Sequence, residues 1–361
     1  MSNSLFQRVL LPGFLFQSAV IGGGYATGRE LVEFFLSAGP VDGLLGIAAA
    51  TVMFSIIAAL SFEFARLSQS YDYRKFFQHL LGPAWFLYEI AYGALILLVL
   101  AVIGSASSEL VAEHLGIHKW VGMVSLMSAV GLLVFHGTGL IEKVLAGWSF
   151  LLYGVYFIFA VIFLSRYGGD MVINLETDVA RGPWLLNSLK YVGYNVGSII
   201  VIIFCVRHMQ TRSDALIAGV LAGPIAMLPA LLLFCTLVAS YPGVLNAAVP
   251  ADYMMARLQL PFLQLIFYIV VFGTFVETGA AMLHAINERI AGAYQDTGKL
   301  MPAWLRPVVA LAILIFATVL ADRFGIITLI AKGYGTLTWA FVLVFLLPLL
   351  TIGGYKIFRQ K

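Results

Sequence analysis

Charge is what this sequence has least of. Of its 361 residues only 11% are Asp, Glu, Lys or Arg, while 61% are hydrophobic. A soluble domain carries roughly 25% charged residues, so a water-facing globular fold is excluded. Cysteine is nearly absent as well: Cys205 and Cys235 both fall inside apolar stretches, and no disulfide framework is implied. The net charge of +3 is small and dispersed, which speaks against a nucleic-acid partner. Alternations of about ten residues, the mark of an outer-membrane barrel, are missing. So are an H-E-x-x-H motif, a Walker A loop and, at Gly147-Trp148-Ser149, the glycine that a nucleophile elbow needs. Neither an enzyme nor a cofactor is expected. The first apolar run has no clear cleavage site and continues through Arg29-Glu30 into another apolar turn, so it reads as a retained helix.

What is present is a series of long apolar segments. Mean hydropathy is +0.97, and about ten spans are predicted near 7–36, 43–66, 84–112, 118–136, 142–166, 185–206, 214–239, 256–287, 303–321 and 326–355. The class is an all-α polytopic membrane protein. The polar connections Arg66–Leu81, Ser165–Trp184, Tyr241–Ala256 and Glu288–Trp304 are too short to hold a soluble domain. With the N-terminus inside, Lys and Arg gather on one side, at Arg66, Arg74, Lys75, Arg207, Arg212 and Arg289 among others. Only Lys119, Arg166, Arg181, Arg257 and Arg323 fall on the other. The bias predicts both termini at the cytoplasmic face of a bacterial-type cytoplasmic (inner) membrane.

One stretch of the first span breaks the apolar pattern: Ile21-Gly-Gly-Gly-Tyr-Ala-Thr-Gly-Arg-Glu30. Glycine loosens a helix, and charge at membrane depth is costly. A helix unwound at Gly22, Gly23 and Gly24 frees carbonyls for a cation, and the half-helix starting near Tyr25 and Ala26 turns its positive end toward a carboxylate. Close helix packing is the competing explanation for such glycines. A second interrupted span, Lys190-Tyr-Val-Gly-Tyr-Asn-Val-Gly-Ser198, carries Tyr194, Asn195 and Ser198 between and beside Gly193 and Gly197. Sliding the chain so that Gly23 falls on Asn195 carries span 2 onto span 7 and span 3 onto span 8. Five spans per half is odd, so the halves, 1–170 and 171–361, form a 5+5 inverted repeat with helices 1 and 6 broken. Such paired interruptions point to the binding site of a secondary transporter.

In span 8, Thr274, Glu277 and Thr278 stand at i, i+3 and i+4, on one helical face that His284 and Glu288 continue. Oxygen side chains beside freed carbonyls suit a small cation, with Na+ possible at Glu277 and Thr278; a buried ion pair with Arg29, Lys190 or Lys332 is the alternative. Arg29 and Glu30 are predicted to form a gate with Lys332. Tyr88, Glu89 and Tyr92 read as interface anchors, and the scattered tryptophans offer no aromatic cage.

The chain resembles the YkvI-like membrane proteins of the amino acid–polyamine–organocation superfamily. The residues that carry the likeness are Gly22-Gly-Gly-Tyr-Ala-Thr-Gly-Arg-Glu-Leu-Val-Glu-Phe-Phe35, close to that group's G-A-G-F-A-S-G-Q-E signature. Arg29 stands where the signature has glutamine. The resemblance implies the LeuT fold, with a substrate held between broken helices 1 and 6 by Gly22, Gly23, Gly24, Tyr25, Ala26, Tyr194, Asn195, Gly197 and Ser198. It also implies a cation held by helix 1 carbonyls near Ser18 and Ile21 and by Thr274, Glu277 and Thr278. The function expected is cation-coupled symport of a small amino-acid-like solute, with Na+ favoured over H+. The alternative is a non-transporting membrane receptor, sensor or assembly subunit on the same fold. Expected partners are a small-molecule substrate and membrane lipid, with the chain a monomer or homodimer.

Overall fold

In hydrocarbon no water answers a backbone N–H or C=O, so an apolar chain must bond its own backbone, and helices do this within one segment. The computed structural model describes residues 4–135, 138–177, 182–296, 298–302 and 304–359, and among them every regular element is helical. The first apolar run is split into α1 (Leu11–Val20), α2 (Gly23–Ala26) and α3 (Arg29–Phe34). Then follow α4 (Pro40–Ser68), α5 (Tyr73–Leu81), α6 (Phe86–Leu115), α7 (Trp120–Phe135) and α8 (Thr138–Glu176). The remainder is α9 (Trp184–Asn195), α10 (Gly197–Val201), α11 (Arg212–Val238), α12 (Pro250–Leu258), α13 (Pro261–Asp296), α14 (Leu305–Thr328), α15 (Gly335–Phe341) and α16 (Gly354–Arg359). Among the described residues six helices are long and apolar enough to cross a membrane, and Trp120–Val134 is a shorter apolar helix.

Several helices outrun the expected spans. α8 continues to Glu176 and α13 to Asp296, because hydropathy marks the apolar part of a helix and not its end. The connection after α4 is not an open loop. It holds α5, started by Asp72, whose carboxylate accepts the Lys75 amide at 2.9 Å. The connection before α13 likewise holds α12. Gly325, at φ 68° and ψ 161°, turns the chain where spans 9 and 10 were expected to meet.

α4 runs along α11, α1 packs on α11, and α2 is wedged between α6 and α13. A Cβ at Gly219 or Gly223 would collide with the backbone of Ala59 or Thr51 across the α4–α11 seam, the close approach that small residues permit between membrane helices. α11 contains Pro224 and Pro229, each of which denies a hydrogen bond to the carbonyl four residues earlier. Both carbonyls are answered from other helices. Ser55 donates to Val220 O at 2.8 Å, and Gln17 donates to Ile225 O at 2.6 Å. Large apolar side chains such as Ile56, Leu228, Ile315 and Leu343 stand exposed around the bundle, as a lipid-facing surface requires.

Candidate functional site

The first break is real and lies at Ile21–Gly22. Ile21 leaves helical space at φ −85° and ψ 83°, and Gly22 is extended. The Gly22 amide turns back to Val20 O at 3.1 Å, so the Ser18 carbonyl loses the donor a continuous helix would supply. The ladder restarts when the Ala26 amide reaches Gly22 O at 3.0 Å, which leaves the Ile21 carbonyl ahead of it. α2 therefore begins at Gly23, earlier than the sequence suggested, and lasts one turn. A Cβ at Gly23 would sit 2.6 Å from Ile103 and 2.9 Å from Phe275, so only glycine lets α2 fit between α6 and α13. The chain is interrupted again at Gly28, at φ 76°. Thr27 closes this second interruption, donating to Gly24 O at 2.6 Å and accepting the Arg29 amide at 3.1 Å.

From α13, Thr278 Oγ1 accepts the Gly23 amide at 2.9 Å, joining the expected cation face to the break. Glu277 is half-buried and lies within electrostatic reach of the Tyr153 hydroxyl, which Ser18 hydrogen-bonds. Thr274 is tied elsewhere. Its hydroxyl donates to Val270 O at 2.8 Å and accepts the Trp148 indole N–H at 3.2 Å, with the indole ring lying against Gly273. Thr278 thus meets the break directly, whereas Thr274 does not.

The second interruption is slighter than expected. α9 ends at Asn195 and α10 starts at Gly197, but Val196 between them keeps a right-handed backbone, φ −60° and ψ −25°. Gly193 serves close packing: a Cβ there would strike Thr338, whose hydroxyl donates to Lys190 O at 2.6 Å. Asn195 spends its amide on Tyr191 O at 3.0 Å. Ser198 donates to Ala19 O at 3.4 Å, which brings the two interrupted segments together. Tyr194 donates to Glu30 Oε2.

The expected gate of Arg29, Glu30 and Lys332 does not form. Gly28 resets the helix phase, and adjacent helical residues do not share a face. Arg29 reaches outward, donating to Leu245 O at 2.6 Å and Ala247 O at 3.2 Å and pairing with Glu33 at 2.9 Å. Glu30 turns inward to Tyr194, and Lys332 is exposed and in no ion pair among the described residues. What lies against this part of the chain instead is the segment 243–258, ending in α12, which covers the second interruption at Gly28. The Ala251 amide donates to Thr27 O at 2.9 Å, His114 and Tyr268 bond Asp252 at 2.9 and 2.7 Å, and Arg257 pairs with Asp170 at 2.6 Å.

Two further features were not legible as sites. A cavity of about 380 Å³ opens beside the break, walled by apolar side chains of α8 and α11 and reaching Ile21, Tyr25 and Ala26. An aromatic cage also exists, built of tyrosines and filled from within: Arg289 lies 3.9 Å from the Tyr73 ring and 4.1 Å from that of Tyr92, and pairs with Glu89 at 2.6 Å. Tyr92 and Glu89 are therefore engaged inside the bundle and are not surface anchors. The i, i+3 spacing of Glu89 and Tyr92 was the available signal.

No family model matches the chain. The uncharacterized membrane protein YkvI of Bacillus subtilis (strain 168) is 23% identical over 288 residues, which cover 77% of this chain and 79% of YkvI. Among solved structures, the chain is similar to a nucleobase-cation-symport-1 family transporter, Mhp1, in a closed conformation with bromovinylhydantoin bound. The TM-score is 0.57 at 13% identity, over 95% of this chain and 76% of Mhp1. It is similar also to a Na+-coupled sialic acid symporter in a substrate-bound outward-open state, with a TM-score of 0.53 at 13% identity, over 94% of this chain and 85% of that one. These likenesses establish the fold that those transporters share.

Proposed function

We propose that this chain is a secondary active transporter, a cation-coupled symporter of a small amino-acid-like solute that uses Na+ in preference to H+. The observation that carries the reading is the hydrogen bond from Gly23 N to Thr278 Oγ1, 2.9 Å long, beside the Ser18 and Ile21 carbonyls that the break sets free. Freed carbonyls and a hydroxyl held against a broken helix are hard oxygen donors of the kind that coordinate a coupling ion near the bilayer midplane. Glu277 supplies the negative charge, and Thr274 stands behind Thr278 on the same face. The solute lies along Gly22, Gly23, Gly24, Tyr25 and Ala26 and meets Tyr194, Asn195, Gly197 and Ser198 from the opposite half. Na+ is cargo here, moved with the solute.

The similarity to Mhp1 and to the sialic acid symporter supports a symporter architecture of two inverted five-helix halves, 1–170 and 171–361. Both termini lie at the cytoplasmic face of a bacterial-type inner membrane. Rocking of one bundle against the other alternates access.

Uptake into proteoliposomes tests the reading. Radiolabelled amino acids are expected to accumulate under an inward Na+ gradient and not under K+ alone. Binding without uptake or counterflow would instead make the chain a receptor, and accumulation that ignores every cation gradient would defeat the coupling assignment.

A further inference from the structure

Glu30 is 5% exposed and lies at the depth of the break, yet none of the described Lys, Arg or His side chains pairs with it. Its neighbour Arg29 is spent on Glu33 and on two backbone carbonyls. A buried carboxylate is costly unless something compensates it. Among the described residues, the one hydrogen bond it receives comes from Tyr194 to Oε2. The other oxygen, Oε1, rests against Gly24, where a Cβ would collide with it and would come 3.5 Å from the Tyr334 hydroxyl.

Tyrosines surround this carboxylate. Tyr194 and Tyr334 stack with ring centroids 4.4 Å apart. Tyr25 and Tyr191, at 4% and 0% exposed, lie within electrostatic reach of Glu30, and neither hydroxyl has a hydrogen-bond partner among the described residues. Two orphan buried hydroxyls beside an unpaired carboxylate call for a ligand. The chemistry specifies its charge. Aromatic faces and a carboxylate both attract a cation. An ammonium brings three donors and no acceptor, and the cluster offers three matching acceptors: Glu30 Oε1 and the two orphan tyrosine oxygens. Tyr25 also lines the apolar cavity of about 380 Å³, so a ligand whose head reaches Tyr25 has apolar space for its body.

Resting on the transporter reading, we infer that Glu30, ringed by Tyr25, Tyr191, Tyr194 and Tyr334, holds the amino group of the transported solute, and that the solute is a primary amine with an apolar body. The amine takes Glu30 Oε1, with its body toward the cavity that Tyr25 lines. Glu30 is thereby the residue that selects amines over amine-free acids and alcohols of the same shape.

The test measures binding of matched pairs to the purified full chain in lipid nanodiscs. The pairs are L-leucine against 4-methylpentanoate, L-phenylalanine against 3-phenylpropionate, and phenethylamine against 2-phenylethanol. The wild type is expected to prefer the amine of a pair by about 30-fold or more, the loss typical of leaving a buried charge unpaired. Glu30→Gln should erase the preference. Glu30→Asp, which keeps the charge but withdraws it by one methylene, should weaken binding and retain the preference. Equal binding of an amine-free counterpart to the wild type overturns the inference, as does an unchanged preference in a monodisperse Glu30→Gln protein. Either result leaves uptake of the bound solute intact and so spares the transporter reading. Absence of binding by all six probes overturns the amine assignment, while uptake of other solutes decides the transporter reading separately.

Discussion

At the scale of the residue, Thr278 and Glu277 can be separated by substitution. Thr278→Val keeps the volume and removes the acceptor of the Gly23 amide, which should cost about 1–3 kcal/mol of stability and abolish Na+-dependent uptake. Thr278→Ser should restore both, as read by thermal denaturation and by uptake with and without Na+. Glu277→Gln should leave the fold intact and eliminate the dependence on Na+; unchanged coupling would remove Glu277 from the site. The glycines, Thr278 and Glu277 were legible because polar or flexible residues are expensive where twenty or so apolar ones are expected. The role of Glu30 was not. With Arg29 and Lys332 it reads as a gate, but adjacent residues of α3 point to different faces, and the positive φ of Gly28 sets which face each one takes. Tyr191 and Tyr334 were equally silent, since tyrosines in an apolar run read as core until their hydroxyls are seen to lack partners or to meet at Gly24.

At the scale of the element, the spans follow from hydropathy but the backbone inside them does not. Two glycine-rich stretches looked alike in the sequence, yet one unwinds and the other stays helical. The difference is what each glycine faces: Gly22 is extended with Thr278 beside the break, whereas Gly193 lets Thr338 approach a helix that remains wound. The prolines of α11 give a sharper test. Gln17→Leu strips the Ile225 carbonyl of its donor and should lower stability by about 1–3 kcal/mol. Pro229→Ala returns an N–H to the same carbonyl, so in that background the Gln17→Leu penalty should nearly vanish. A double-mutant cycle of thermal denaturation in detergent reads the coupling. Equal penalties in both backgrounds would show that Gln17 acts through packing alone.

At the scale of the whole molecule, the segment ending in α12 covers the second interruption, at Gly28, and is fastened around it to α3, α6, α8 and α13 through Arg29, Asp252, Arg257 and Ala251. If the bundle rocks, this covering must lift. A bifunctional thiol reagent bridging Cys residues placed at Asp170 and Arg257, with Cys205 and Cys235 replaced by Ala, should arrest uptake, and cleaving the bridge should restore it. Persistent uptake through the bridge would leave the segment outside the moving parts. The bundle's membrane character was legible from composition, whereas this covering was not, since most of its contacts join groups far apart in sequence. The proline carbonyls of α11 bear on a different matter, the making of the protein. Alone in lipid, α11 would present two unanswered carbonyls to hydrocarbon, each costing several kcal/mol. Their donors, Gln17 and Ser55, lie on α1 and α4, which leave the ribosome first. α11 therefore completes its backbone bonding only when α1 and α4, which precede it in the chain, are packed against it.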